Sequence, residues 1–165
     1  MKVILLSVIL LCVCFLASAA QYDSQIRSLF SNRQQGDGTY YGYGGGGSCT
    51  LDPTPRSGQT DKNAAINAPQ YYGSATCGMC LQLVGNGTGS GSNPIDGTFI
   101  VYVNNLCPEC ASGSLDLGDS GDGRWEIEWI AVPCPGNIGN LQYMAQGSHE
   151  FYIKLQVRNH RLPVR

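Results

Sequence analysis

The stretch Trp125-Glu126-Ile127-Glu128-Trp129-Ile130-Ala131-Val132 decides the fold class. Trp125, Ile127, Trp129 and Ala131 fall on one face, and Glu126 and Glu128 on the other, which is the period of a half-buried β-strand. The two tryptophans are therefore expected in the core. Ile130 and Val132 make the second half apolar on both faces, which predicts burial on both sides. Upstream, Thr98-Phe-Ile-Val-Tyr-Val103 is rich in β-branched and aromatic residues and reads as a second strand. Met79 to Val84 reads as a third. Between them, Asn86-Gly-Thr-Gly-Ser-Gly-Ser-Asn-Pro94 reads as a polar turn. It holds a glycosylation sequon, Asn86-Gly87-Thr88. Downstream, Pro133-Cys134-Pro135-Gly136 breaks the pattern and marks a domain boundary. After it, Phe151, Ile153, Leu155 and Val157 alternate with Tyr152, Lys154, Gln156 and Arg158. That pattern predicts a further strand with Phe151 toward a core and Tyr152 outward.

Nearer the N-terminus, Thr39-Tyr40-Tyr41-Gly42-Tyr43 suits a strand, and Gly44 to Gly47 suit a loop. Residues 21–35 are polar with scattered Ile26, Leu29 and Phe30, and read as a short helix or a loose lead-in. Asp61 to Tyr72 reads as one or two helical turns, stopped near Pro69. Many strands joined by short turns, with almost no helix, argue for a mainly β barrel or sandwich.

The first twenty residues have a different texture. Lys2 precedes an apolar run from Val3 to Leu16 and the small residues Ala17-Ser-Ala-Ala20. A basic start, an apolar centre and an A-x-A-like exit are the features of a secretory signal peptide, cut after Ala19 or Ala20. The run is shorter than the roughly 20 apolar residues that span a bilayer, so no retained membrane anchor is expected. Removal of residues 1–20 leaves 145 of the 165 residues, the size of one ordinary domain or of one small domain plus a fragment. The expected location is outside the cell.

Removal also takes Cys12 and Cys14, leaving Cys49, Cys77, Cys80, Cys107, Cys110 and Cys134. An even count in a secreted chain reads as three disulfides. Cys77-Gly-Met-Cys80 and Cys107-Pro-Glu-Cys110 also have the C-x-x-C spacing of zinc and redox sites. The 26 residues between the pairs exceed the usual zinc-ribbon gap of roughly 15–20, and secretion favours oxidation. Spacing does not choose among the 15 pairings that six cysteines allow. His149 and His160 are not at metal-pair spacing, and no metal or cofactor is expected. With Lys2 gone, nine of the ten Lys and Arg face twelve Asp and Glu, without a basic block. That argues against a nucleic-acid partner. Abundant glycine and few charges suit a turn-rich protein with a neutral ligand such as a polysaccharide.

Several motifs then occur in a telling order: Gly38-Thr-Tyr-Tyr-Gly42, Cys77-Gly-Met-Cys80, Val101-Tyr-Val-Asn-Asn-Leu-Cys-Pro-Glu-Cys110 and Gly113-Ser-Leu-Asp-Leu117. Together they resemble the first domain of expansins and expansin-like proteins. Gln156-Val-Arg-Asn-His-Arg-Leu-Pro-Val164 resembles the start of the second. The resemblance implies a six-stranded double-psi β-barrel over residues 36–135. It implies that residues 136–165 belong to an immunoglobulin-like, cellulose-binding β-sandwich, too short to complete one of roughly 100 residues. It implies a monomeric protein that binds cellulose or a related β-glucan and loosens cell-wall contacts without hydrolysis or cofactor. It pairs Cys49 with Cys77 and Cys80 with Cys134, leaving Cys107 to close on Cys110.

The resemblance also implies a groove that contains Thr39, Tyr41, Asn105 and Asp116. Asp116 is the candidate proton donor or sugar-binding carboxylate. Inverting hydrolysis needs a second carboxylate, roughly 6.5–9.5 Å away, to activate water. The related glycoside hydrolase family 45 carries that base in a Thr-Arg-Tyr-Trp-Asp motif, whereas this chain has Thr39-Tyr-Tyr-Gly-Tyr43. An acid without a base predicts binding rather than cleavage. The alternatives are a glycan-cleaving enzyme and an inactive, truncated matrix-binding paralogue. Three departures from the family stand out. Asn105 replaces the usual Asp, and Cys107 replaces a groove Tyr of the bacterial members. Only Gly118 to Arg124 join Leu117 to Trp125, where a helix is usual; its loss predicts an opened barrel wall. Glu109 is a spare carboxylate, and Phe151 and Tyr152 match the aromatic positions of the second domain.

Overall fold

The computed structural model describes residues 23–42, 46–50, 60, 62–136, 140–158 and 160–163. The signal-peptide assignment to residues 1–20, Tyr43, some of the glycine run and Val164 lie outside them. The elements are α1 (residues 23–29), β1 (Gln34–Tyr40), β2 (Lys62–Asn67), α2 (Ala68–Tyr71), β3 (Cys80–Ser90), β4 (Asp96–Cys107), β5 (Leu115–Gly118) and β6 (Arg124–Val132). Two short strands follow, β7 (Gln142–Ala145) and β8 (Leu155–Arg158). Strands β1 to β6 close into a barrel in the order β1-β5-β2-β4-β3-β6, and β7 and β8 form a separate two-stranded sheet. The expected mainly β, six-stranded barrel is what the chain forms.

The barrel interior follows the strand alternation. Trp125, Ile127, Trp129 and Ala131 of β6 point inward and meet Leu81 and Leu83 of β3, Val101 and Val103 of β4, Leu115 and Leu117 of β5, and Ala64 and Ile66 of β2. Burial of such side chains stabilises by about 1.5–3 kcal/mol each. The outer side of the β3–β4–β6 wall carries a second cluster. There Cys80, Tyr102 and Cys134 are buried, with Ile100 and Val132 partly covered. Val132 and Ile130 are therefore half-buried rather than enclosed on both sides. Disulfides join Cys49 to Cys77, Cys80 to Cys134 and Cys107 to Cys110, which displaces the zinc alternative.

Three expectations are corrected. Residues 62–67 form strand β2 and not a helix, because Ala64 and Ile66 face the core between β4 and β5. A helix does follow, but Pro69 helps start it instead of stopping it. Asn67 caps it by accepting from the Gln70 N–H at 3.0 Å, and proline suits the first turn, where its missing N–H is not needed. Second, the polar segment after Asn86 is not all turn: β3 runs on to Ser90, pairing Gly89 with Trp125 and Ser90 with Arg124 after a register shift. The lead-in takes the first of its two expected forms, the short helix α1, which runs into β1, and Leu29 is 1% exposed in the barrel core.

Third, the short connection after Leu117 does not open the wall. The barrel closes because polar bonds replace the helix. The Asp122 carboxylate accepts from the Ser92 N–H at 2.7 Å, the Asp122 N–H donates to Asn93 Oδ1 at 3.2 Å, and the Trp125 indole N–H donates to the Asp122 carbonyl at 3.2 Å. Gly121 lies so close to the Tyr40 ring that a Cβ there would sit 2.8 Å from it.

The tail differs most from expectation. The strand expected from Phe151 begins only at Leu155. Phe151, expected toward a core, is 87% exposed in a turn closed by the His149–Tyr152 bridge. Gln156 is the buried member of β8, and its Oε1 accepts from Gln146 Nε2 at 3.0 Å. The tail is tied to the barrel by the Cys134 N–H, which donates to the Arg161 carbonyl at 2.8 Å.

Candidate functional site

The register of four adjacent strands lines up the candidate groove residues. Thr39 of β1 pairs with Asp116 of β5, Asp116 with Ala65 of β2, and Ala65 with Asn105 of β4. Their chain neighbours Leu115, Leu117, Ala64 and Ile66 belong to the core, so the row faces outward. Adjacent strands lie about 4.8 Å apart, so the row spans about 14 Å from Thr39 to Asn105. Ala65, small and almost covered, forms its floor.

The Thr39 hydroxyl donates to Asp116 Oδ1 at 2.6 Å. Partial burial pushes the Asp116 carboxyl above the usual carboxylate range. The Thr39 bond opposes this, the Glu109 charge adds to it, and the Arg124 charge opposes it. Asp116 is thus biased toward the protonated form, as a proton donor or hydrogen-bond donor to sugar oxygens requires. Tyr41 follows β1, with its N–H donating to the Leu117 carbonyl at 3.1 Å, and stands half-buried beside Thr39.

Asn105 closes the other end. Its Oδ1 accepts from the Ser48 N–H at 2.8 Å, the Ser48 hydroxyl at 3.0 Å and the Leu106 N–H at 2.9 Å. With its oxygen engaged by three donors, the amide fixes the loop 46–50 to the rim. An Asp would accept the same bonds, so the substitution keeps the shape and removes the charge. The neighbouring Asn104 sits at the register shift opposite Ala64 and Ala65, 1% exposed, and its carbonyl accepts from the Cys49 N–H at 3.2 Å. Gly47 approaches that carbonyl so closely that a Cβ would lie 2.3 Å away, which restricts this position to glycine.

Sequence reasoning missed Asp37. It precedes Thr39 by two residues on the same face of β1, and its carboxylate accepts from Arg124 Nη1 at 2.8 Å. Nothing in the sequence marks this pair; it depends on Gly38 lying opposite Trp125, which brings the head of β6 beside Thr39. Asp37 also borders an outer depression of about 620 Å³, with Gln35, Val84, Asn86, Glu126 and Glu128. Asn86 is exposed there, and its Oδ1 accepts from the Thr88 N–H at 2.9 Å. Glu109 lies exposed on the β4–β5 connection. Phe151 and Tyr152 are not brought to this row; they lie in the tail, 87% and 52% exposed. Among the described residues no cluster of three His, Cys, Asp or Glu could hold a metal.

No protein-family model matches the chain. Expansin-YoaJ of Bacillus subtilis is 34% identical over 157 residues, 87% of this chain, and the chain spans 62% of that relative's length. Among solved structures, an Asp-to-Asn mutant of the Clavibacter michiganensis expansin in complex with cellohexaose matches with a TM-score of 0.62 and 25% identity. That match covers 81% of this chain and 67% of the other. The apo form of the Clavibacter michiganensis expansin matches with a TM-score of 0.59 and 26% identity, over 78% and 64%. Barrel topology, the order of the motifs and these likenesses together make the chain a member of the expansin family.

Proposed function

We propose that the protein is secreted and binds cellulose or a related β-glucan of a cell wall or matrix along the Thr39–Asp116–Asn105 row. In this reading it loosens contacts between glucan chains without cutting them. The observation that carries this reading is the state of the carboxylates. Partial burial biases Asp116 toward its protonated form and the Thr39 hydroxyl is bonded to it, while Asp37, the carboxylate nearest Thr39 along β1, is occupied by Arg124. A base that must activate water is not expected to be held by a guanidinium. The solved Clavibacter relative was crystallised with cellohexaose, which supports a glucan as ligand. Exposed Phe151 and Tyr152 add apolar faces on which sugar rings stack, and Asn86 is the acceptor for an N-linked glycan in a secreted chain. The protein acts as a monomer, without cofactor or metal.

The Asp37 position favours one second reading, an inverting hydrolase with Asp116 as acid and Asp37 as base. Purified protein incubated with cellulose paper separates the two. Weakening of the paper with no new reducing ends is the expected result. Reducing ends that accumulate with time, and vanish in Asp116→Asn and Asp37→Asn, would replace it with hydrolysis.

A further inference from the structure

The Cys107–Cys110 disulfide joins residues only three apart, against 28 and 54 for the other two. A link across so short a loop removes little freedom from the unfolded chain. The connection it belongs to is also secured without it. Gly113 N–H donates to Gln70 Oε1 at 2.9 Å, Asn67 Nδ2 donates to the Ser114 carbonyl at 3.0 Å, and the Trp129 indole N–H donates to the Gly113 carbonyl at 2.7 Å. These buried bonds hold the start of β5, and hence Asp116, in register. The disulfide is therefore not needed to build the barrel.

Its position explains it better. Cys107 pairs with Asn67, two residues beyond the pairing of Asn105 with Ala65, so Cys107 and Asn105 share the outer face of β4. Cys107 itself is buried, whereas Pro108 and Glu109 are exposed. The ring closed by the disulfide thus stands on the groove face with Glu109 at its tip, fixed at one end by Cys107 and at the other by Cys110. We propose that the Cys107–Cys110 disulfide is an element of the polysaccharide groove, a positioning device that holds Glu109 beside Asp116 as a second sugar-binding carboxylate. This rests on the glucan-binding reading above. The influence of Glu109 on the Asp116 carboxyl supports the juxtaposition. The groups acting on Asp116 are the Thr39 hydroxyl from β1, Glu109 from the β4–β5 connection and Arg124 from β6; β2 contributes the uncharged Ala65.

The test compares the full-length protein with Glu109→Gln, with Cys107→Ser/Cys110→Ser, and with the triple variant. Cellohexaose affinity is measured by calorimetry, and the Asp116 carboxyl titration by NMR. Glu109→Gln is expected to weaken binding about tenfold or more, as loss of a charge-assisted hydrogen bond does. Opening the ring should weaken it by the same factor, and the triple variant should be no worse than either. Asp116 should titrate at lower pH in all three variants, a shift that a purely structural role for the disulfide would not produce. Wild-type affinity in Glu109→Gln, or factors that multiply in the triple variant, would overturn the proposal. Failure of the wild-type chain to bind cellohexaose would sink the glucan reading instead. The titration then decides alone: an Asp116 carboxyl unmoved by opening the ring rejects the device.

Discussion

Strand β6 and the tail segment 151–157 carry nearly the same alternation of apolar and polar residues, yet they end in opposite environments. Trp129 is fully buried, while Phe151 is 87% exposed. Strand β6 pairs with β1 on one side and β3 on the other, and its inward side chains meet those of the strands opposite. Among the described residues strand β8 pairs only with β7, and Tyr143, Phe151, Ile153 and Leu155 stay open to solvent. Alternation declares a face; it does not supply what the face packs against.

The sharpest way to break this comparison is truncation on both sides. Trp129→Ala should cost about 3–5 kcal/mol, the range for deleting a large buried aromatic. Phe151→Ala should stay within about 0.5 kcal/mol, as surface changes do. Urea denaturation of each variant measures both, and a costly Phe151→Ala would show that the tail has a core of its own. Disulfides extend the contrast within the barrel. By loop-entropy scaling, Cys80→Ser/Cys134→Ser should lose about 4 kcal/mol and Cys107→Ser/Cys110→Ser under about 2 kcal/mol, read as midpoint shifts in the same titration.

Glycines give a smaller test. Gly113 has φ +85° and a Cβ there would lie 2.0 Å from the Gln35 carbonyl, so Gly113→Ala should cost about 1–3 kcal/mol. Gly147, in the tail, has φ +57° with nothing within 4 Å, and Gly147→Ala should cost about 1 kcal/mol. Thermal unfolding ranks the two.

The smallest effects are electrostatic. Because the folded state raises the Asp116 pKa, it favours the protonated carboxyl. That stability is fully present below the ordinary carboxylate pKa and is lost as pH rises through the raised one. Asp116→Asn should therefore gain stability relative to the wild type across that window while losing glucan binding. Asp119 runs the other way. Its bond from Lys62 lowers its pKa, so its contribution is present above the ordinary carboxylate pKa and is lost as pH falls through the lowered value. An exposed pair of this kind contributes under about 1 kcal/mol, seen as a Lys62→Met effect that fades in acid.

The barrel was legible wherever a strand has one wet face and one dry face. The interior of β6, the centre of β4 and the start of β3 follow directly from residue order. Strand β2 was not, because Ala64-Ala-Ile66 is short and its small residues fit a helix as well as a parallel strand whose neighbours come from distant sequence. Barrel closure was hidden for a related reason: Asp122, Ser92 and Asn93 substitute for a helix through bonds that no local pattern announces. At the site, Thr39 and Asp116 could be named from motifs. Their hydrogen bond, the Asp37–Arg124 pair and the clasp of Asn105 on Ser48 arise from register between strands, and a single sequence carries no direct record of that.

The Cys80–Cys134 bond has a mechanical consequence. It locks the start of β3 to the residue two past the end of β6, and those two strands share the long ladder from Cys80 with Val132 to Ser90 with Arg124. A pull on the tail enters the barrel at Cys134 and passes into β3 through a covalent bond. Because Cys80 and Val132 lie at the same end of that antiparallel ladder, both strands take the load together, and the ladder is not peeled open from that end one hydrogen bond at a time.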